Sequence, residues 1–221
     1  MTSVRSKPRR KNGEETGART RILDAAFAAF TKNGYAASST LDIATRARVS
    51  KRELYTLVGN KQEMLVACIT ARAKRLQLPA GLPVPQDRQS LSRLLCGVGT
   101  QLIREVTDPA VIAVFRLAIA EAIHAPEVAQ ALDSIGRESS RAALRHIMVT
   151  AQSSGLIEGR PEELAEQFAS LLWGLLMIDL LLGVAARPKA HELETRAREA
   201  TTAFLRIHPA TPTGSGVRVA A

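Results

Sequence analysis

Aromatic residues are scarce in this 221-residue chain, at 4% with a single Trp and two Tyr. Extended sheets draw on Tyr, Phe, Val, Ile and Thr, whereas Ala and Leu abound here, so a large sheet is excluded in favour of helices. Only Cys68 and Cys96 are present, which leaves no disulfide framework and no CxxC metal knuckle. No apolar segment of signal-peptide length opens the sequence. The longest apolar run, Leu171 to Ala186, is interrupted by Asp179 and falls short of the roughly 18 residues of a membrane span. A buried helix, no membrane partner and a cytoplasmic location are therefore expected.

Catalytic signatures are missing too. No Walker loop, GxSxG or HExxH occurs, which removes common phosphate-binding and hydrolytic sites. One ExxH, from Glu121 to His124, matches half of a di-iron bundle motif, but such a centre needs a second ExxH and two further glutamates. None of His146, His191 or His208 supplies it. No catalytic residue, metal or cofactor is expected.

What the sequence does have is positive charge, placed at one end. Residues 1–61 hold thirteen Lys or Arg against five Asp or Glu, so they carry +8 of the net +9. Charge gathered in this way is the footprint of a module that binds a polyanion such as double-stranded DNA. Five of the thirteen lie between Arg5 and Lys11, so a solubilising arm explains most of the excess but not all.

Organisation follows from helix periodicity and its punctuation. Residues 1–15 are polar, basic and broken by Pro and Gly, which reads as a disordered basic arm. A first helix is expected from Thr16 to Asn33, with Ile22, Ala26 and Phe30 on one stripe, ended by Gly34. Three start signals come next: Ser39-x-x-Asp42, Ser50-x-x-Glu53, and Asn60 with Glu63. Pro79, Gly81, Pro83 and Pro85 mark a linker over 78–89, separating a DNA-binding domain at 16–77 from a helical domain at 90–208. Long helices are expected there over 90–106, 110–123, 127–153, 162–186 and 192–207, with a disordered tail at 209–221.

Between the second and third helices lie only Arg48 and Val49. Two short helices joined by so tight a turn form a helix-turn-helix, whose second helix presents its N-terminal residues to the major groove. Leu54 and Val58, four apart, are expected to face inward with Ile43 and Val49, leaving Lys51, Arg52, Tyr55 and Thr56 outward. Arg52 is the natural guanine reader, through O6 and N7. Ser39, Thr40, Tyr55 and Lys61 are groups that hold phosphates and fix register; Arg48 and Ser50 complete the expected DNA-binding set. Glu53 has two readings, a capping-box partner of Ser50 or an acceptor for cytosine N4, and the first is preferred.

These residues resemble the DNA-binding domain of the TetR family of transcriptional regulators. The matching features are Ile22-Leu23, Ala25-Ala26, Phe30, Asn33-Gly34-Tyr35, Ile43-Ala44, Val49-Ser50-Lys51, Leu54-Tyr55 and the run from Gly59 to Leu65. The sequence departs from that pattern in three places: Arg48 where the turn usually carries Gly, Glu53 where a small residue usually precedes Leu-Tyr, and Val58 in place of an aromatic. The resemblance implies an all-helical homodimer with a C-terminal ligand-binding and dimerisation domain. It further implies a repressor released from a pseudo-palindromic operator by a small effector. A nonspecific or architectural DNA-coating protein is the alternative, against which the large apolar C-terminal domain argues.

The expected helix over 162–186 is apolar around much of its circumference and so needs cover on several sides. Gly174 and Gly183 would permit close approach of a two-fold mate at a dimer interface. Asp179 there needs a partner, either across that seam or in a cationic ligand, the seam being preferred. Phe115, Met148, Trp173 and Met177 are the candidate effector lining, and an apolar lining suits a hydrophobic or amphipathic effector. Cys68 and Cys96 are read as inert buried thiols.

Overall fold

The computed structural model describes residues 9–73 and 81–210, and among these there is no strand. Contacts divide the chain into two compact units. One comprises the described residues before 75 together with Ala113–Ile135; the other runs from 81 to Ile112 and from Gly136 onward.

In the first unit, α1 (Arg9–Asn33), α2 (Thr40–Ala47), α3 (Lys51–Val58) and α4 (Lys61–Ala73) enclose Ile22, Ala26, Phe30, Ile43, Leu54, Met64, Leu65 and Ile69. The helix α1 begins inside the segment expected to be a disordered arm; residues 1–8 of that arm lie outside the described residues. The α1 helix stops where expected: Gly34 takes φ 80° and its N–H closes on the Phe30 carbonyl at 3.0 Å, a backbone state that costs glycine little. Phe30 then packs on Tyr35 with ring centroids 5.5 Å apart.

Part of the chain beyond the linker also belongs to this unit. The main part of α6 (Pro109–Glu121) and all of α7 (Pro126–Ala131) place Val114, Leu117, Ala118, Val128 and Ala131 in the same core. Gln62 on α4 donates to the Glu127 carboxylate on α7. The linker prolines, the strongest boundary signal in the sequence, place these residues in the C-terminal domain. The apolar side chains of 113–135 override that signal. The linker itself is described only from residue 81.

The second unit is built on α5 (Arg88–Val106), α8 (Glu138–Ser153), α9 (Pro161–Trp173), α10 (Leu176–Leu182) and α11 (Ala190–Ile207). Its core joins Leu91, Leu95 and Leu102 of α5 to Ile147 and Met148 of α8, Phe168 and Leu172 of α9, and Ala197 and Phe204 of α11. Phe168 and Phe204 meet edge to face at 5.5 Å. Gly99 lets α5 approach closely, since a Cβ there would lie 3.1 Å from the Leu172 methyl. Arg88, half-buried at the start of α5, donates to the carbonyls of Leu156 (2.7 Å), His208 (2.8 Å) and Leu205. It thereby satisfies the C-terminal end of α11, where carbonyls lack helical partners.

Two expected helices are broken. The one over 127–153 is interrupted by a π turn at Leu132–Arg137. The one over 162–186 ends at Trp173 and restarts at Leu176, bent by 53°. Gly174 at the break takes φ 46° and ψ −134°. The Arg196 guanidinium donates to Leu172 O at 2.7 Å and Trp173 O at 2.6 Å, covering carbonyls the break leaves open. Among the described residues no single helix is long and apolar enough to cross a membrane; the bent α9–α10 pair passes that test only when taken together.

Candidate nucleic-acid interface

The sequence builds this site through local caps. Ser39, with extended backbone, accepts from the N–H groups of Leu41 (3.2 Å) and Asp42 (3.4 Å) and starts α2. Asp42 returns no bond to Ser39, since its side chain is one methylene shorter than the Glu of a full capping box. Ser50 likewise starts α3 by accepting from the Glu53 N–H at 3.1 Å. At the start of α4 the box is complete: the Asn60 side chain accepts from Gln62 and Glu63 N–H at 2.9 Å, and Glu63 accepts from Asn60 N–H at 2.7 Å.

The turn between α2 and α3 is held from three sides. Arg48 sits in the left-handed region at φ 57°, ψ 48°, the one non-glycine residue with positive φ among the described residues. Its N–H reaches Thr45 O at 3.2 Å, Val49 N–H reaches Ala44 O at 3.1 Å, and Arg21 Nε donates to Ala47 O at 3.1 Å. The glycine usual at this place would carry no such backbone cost.

Leu54 and Val58 point inward with Ile43, and Val49 packs against the same core, as their spacing predicts. Lys51, Arg52, Glu53, Tyr55 and Thr56 are exposed. Lys51 Nζ lies 6.0 Å from the Tyr55 ring centroid, and Thr56 Oγ1 donates back to Arg52 O at 3.0 Å. Ser39, Arg48 and Ser50 are exposed, while Thr40 and Lys61 are half-buried. All nine expected DNA-binding residues thus lie outside the core. The Ser39 and Ser50 oxygens are used as caps, which leaves their hydroxyl protons to donate elsewhere.

The sequence reading missed Tyr35 as a positioning group. Lys61 Nζ stands 4.7 Å above its ring and donates to Ala36 O at 3.0 Å, so a flexible ammonium is held in place. Burial, then Glu121 and Glu127, push the Tyr35 hydroxyl to higher pKa. The signal was present in Asn33-Gly34-Tyr35, but the partner sits on another helix.

One preferred reading is corrected here. Glu53 does not close a capping box on Ser50: among the described residues its carboxylate makes no hydrogen bond or ion pair.

The effector candidates do not gather. Met148 is fully buried in the core of the second unit, and Phe115 packs against the core of the first. Trp173 and Met177 are half-buried on either side of the Gly174 break. Two open cavities, of about 620 and 650 Å³, are lined by none of the four. Gly174 and Gly183 are helix-ending glycines with φ 46° and 75°, on either end of α10 rather than inside one continuous helix. Asp179 is half-buried in the first turn of α10. Cys68 is buried, donating to Leu23 O at 3.3 Å, whereas Cys96 is only half-buried, short of the burial expected for it. Among the described residues no three metal-ligating side chains cluster.

Comparison with known proteins agrees with this architecture. Residues 22–68 match the profile of bacterial regulatory proteins of the tetR family, and residues 93–208 match the C-terminal domain of AefR-like transcriptional repressors. The chain is 25% identical over 176 residues to YvkB, an HTH-type transcriptional regulator of Bacillus subtilis, covering 79% of this chain and 90% of that one. A TetR-family regulator from Mesorhizobium loti superimposes with a TM-score of 0.74 at 25% identity, over 88% of this chain and 98% of that one. The flavonoid-responsive regulator FrrA does so at 0.73 and 26% identity, over 89% and 98%. The C-terminal profile alone spans more than half of the sequence: this chain belongs to the TetR family of transcriptional regulators, DNA-binding proteins rather than enzymes.

Proposed function

We propose that the protein is a ligand-released repressor that binds a pseudo-palindromic operator as a homodimer and acts in the cytoplasm. One observation carries the dimeric part. Leu175, Ile178 and Leu182 follow helical spacing along α10 from its N-cap and are 70%, 53% and 71% exposed in the single chain, and Leu171 near the end of α9 is 37% exposed. Large apolar side chains in a row at such exposure mark a surface that a partner covers. Two copies then set two α3 helices about one DNA turn apart, ~34–36 Å.

Each α3 offers Arg52 and Thr56 to base edges. Ser39, Thr40, Arg48, Ser50, Lys51, Tyr55 and Lys61 hold the flanking phosphates and fix register. The responsiveness of FrrA to flavonoids supports a C-terminal domain that answers to a hydrophobic or amphipathic effector. Trp173 and Met177, beside the α9–α10 break, are its best-placed lining. Effector and DNA then compete through one shared equilibrium, so each weakens the other by the same factor.

Fluorescence anisotropy against operators enriched from a random duplex pool, with nonspecific competitor at near-physiological salt, tests the proposal. A palindromic consensus bound as a dimer is the expected result. No consensus, with affinity collapsing as salt rises, would replace it with nonspecific coating.

A further inference from the structure

We infer that Glu53 is a base-reading residue that selects cytosine in each operator half-site. The inference rests on α3 being the groove-reading helix and adds to it a second specificity determinant beside Arg52.

Residues advance about 100° around a helix, so Leu54 and Val58, both buried, define the inward direction of α3. Arg52 and Thr56 then centre the outward face, with Glu53 about 60° to one side and Tyr55 about 100° to the other. Glu53 is therefore part of the surface that meets base edges.

Among the described residues its carboxylate makes no hydrogen bond or ion pair, and its one local interaction is with the positive end of α3, in whose first turn it stands. Glu63 in the same unit, at the same spacing from its cap residue, closes a box on Asn60 N–H at 2.7 Å. Glu53 has the same opportunity at Ser50 and does not take it; only the Ser50 hydroxyl side of that box is made. Nor is there an ion pair to Lys51 or Arg52.

An unpaired carboxylate on this face lowers affinity for every DNA sequence, because it is repelled by phosphates and opposes the +8 charge of residues 1–61. Repulsion is relieved only where the carboxylate meets a donor. Two amino groups are exposed in the major groove, cytosine N4 and adenine N6. Adenine N6 sits beside the N7 acceptor, a pair that suits an amide and repels a carboxylate. Cytosine N4 offers a donor without that neighbour. Glu53 thus acts by exclusion as well as attraction, which is how specificity is commonly built.

Operators selected from one random duplex pool by the wild type, Glu53→Gln and Glu53→Ala test this, alongside melting temperatures of the free proteins. The wild type should select cytosine at one symmetric position, and thymine there should weaken binding about tenfold or more. Glu53→Ala should lose the preference, and Glu53→Gln should move it toward adenine, with melting temperatures lowered by about 2 °C at most. An unchanged consensus in both variants would overturn the assignment, and with a clear fall in melting temperature it would return Glu53 to a capping role. Absence of any wild-type consensus would instead overturn the operator-binding proposal on which this one stands.

Discussion

Replacing Arg48 by glycine should raise the stability of the free protein while weakening its grip on DNA. The left-handed conformation at φ 57° costs an L-residue about 1 kcal/mol or slightly more relative to glycine. Glycine gives back roughly half of that by enlarging the unfolded ensemble, so the net gain is about 0.5 kcal/mol. For a chain of this length that is roughly 1–2 °C in melting temperature, within reach of differential scanning calorimetry on DNA-free protein. Each dimer meanwhile loses two cations. If both neutralise phosphates, the slope of log K against log salt flattens by about 1.8. Arg48→Asn, which tolerates the left-handed region, should behave like glycine, and Arg48→Lys should keep both the strain and the slope. A melting temperature that falls in Arg48→Gly would refute the strain argument. An unchanged salt slope would remove Arg48 from the interface.

Three further outcomes are expected. Leu175→Glu, at a position 70% exposed in the single chain, should leave the circular dichroism spectrum intact and shift sedimentation to the monomer; a persisting dimer would place the interface elsewhere. Arg88→Ala frees three carbonyls, that of Leu156 in the loop after α8 and those of Leu205 and His208 at the end of α11, and should cost about 2 kcal/mol in urea unfolding, partial solvent access discounting a larger sum; a loss near zero would show that water replaces the guanidinium. The Ser90 N–H, and then the Ser90 hydroxyl, hold Asp87 below its ordinary pKa, so its contribution is present above the unfolded carboxylate pKa and lost as pH falls through the lower folded value. Asp87→Asn should accordingly narrow the gap in melting temperature between about pH 6 and pH 3, and an unaltered gap would assign the acid sensitivity to other groups.

The first unit was legible where its causes are local. Ser39, Ser50 and Asn60 cap N–H groups two or three residues away, so the signal and its target share one short window of sequence. The inward turn of Leu54 and Val58 follows from spacing alone. Legibility fails where the cause is distant. Tyr35 holds Lys61 from the turn after α1, and residues 113–135 join the first core with α7 packed on α4, far away in sequence. Glu53 was misread for a subtler reason. The box motif states that a bond is available, not that it forms, and the same spacing is closed by Glu63 and left open by Glu53.

The break at Gly174 changes the argument about dimerisation more than it changes the fold. Periodicity continues across it, because Leu171, Leu175, Ile178 and Leu182 keep helical spacing, so the sequence reads as one helix. What makes the break affordable is Arg196 on α11, which takes the Leu172 and Trp173 carbonyls. In a continuous helix Asp179 would be a mid-span carboxylate in need of a partner across the seam. In the observed one it stands in the first turn of α10, where the positive end of the helix favours a carboxylate. Its solvent access is partial, which removes the penalty of full burial. Asp179 therefore does not require a partner across the seam to stay charged. Positive φ gives Gly174 and Gly183 a reason of their own to be glycine, and both stand exposed next to Leu175 and Leu182. The exposed leucines and Ile178 offer the apolar area for the proposed association, which makes Leu175→Glu, rather than a glycine substitution, the variant that tests it most directly.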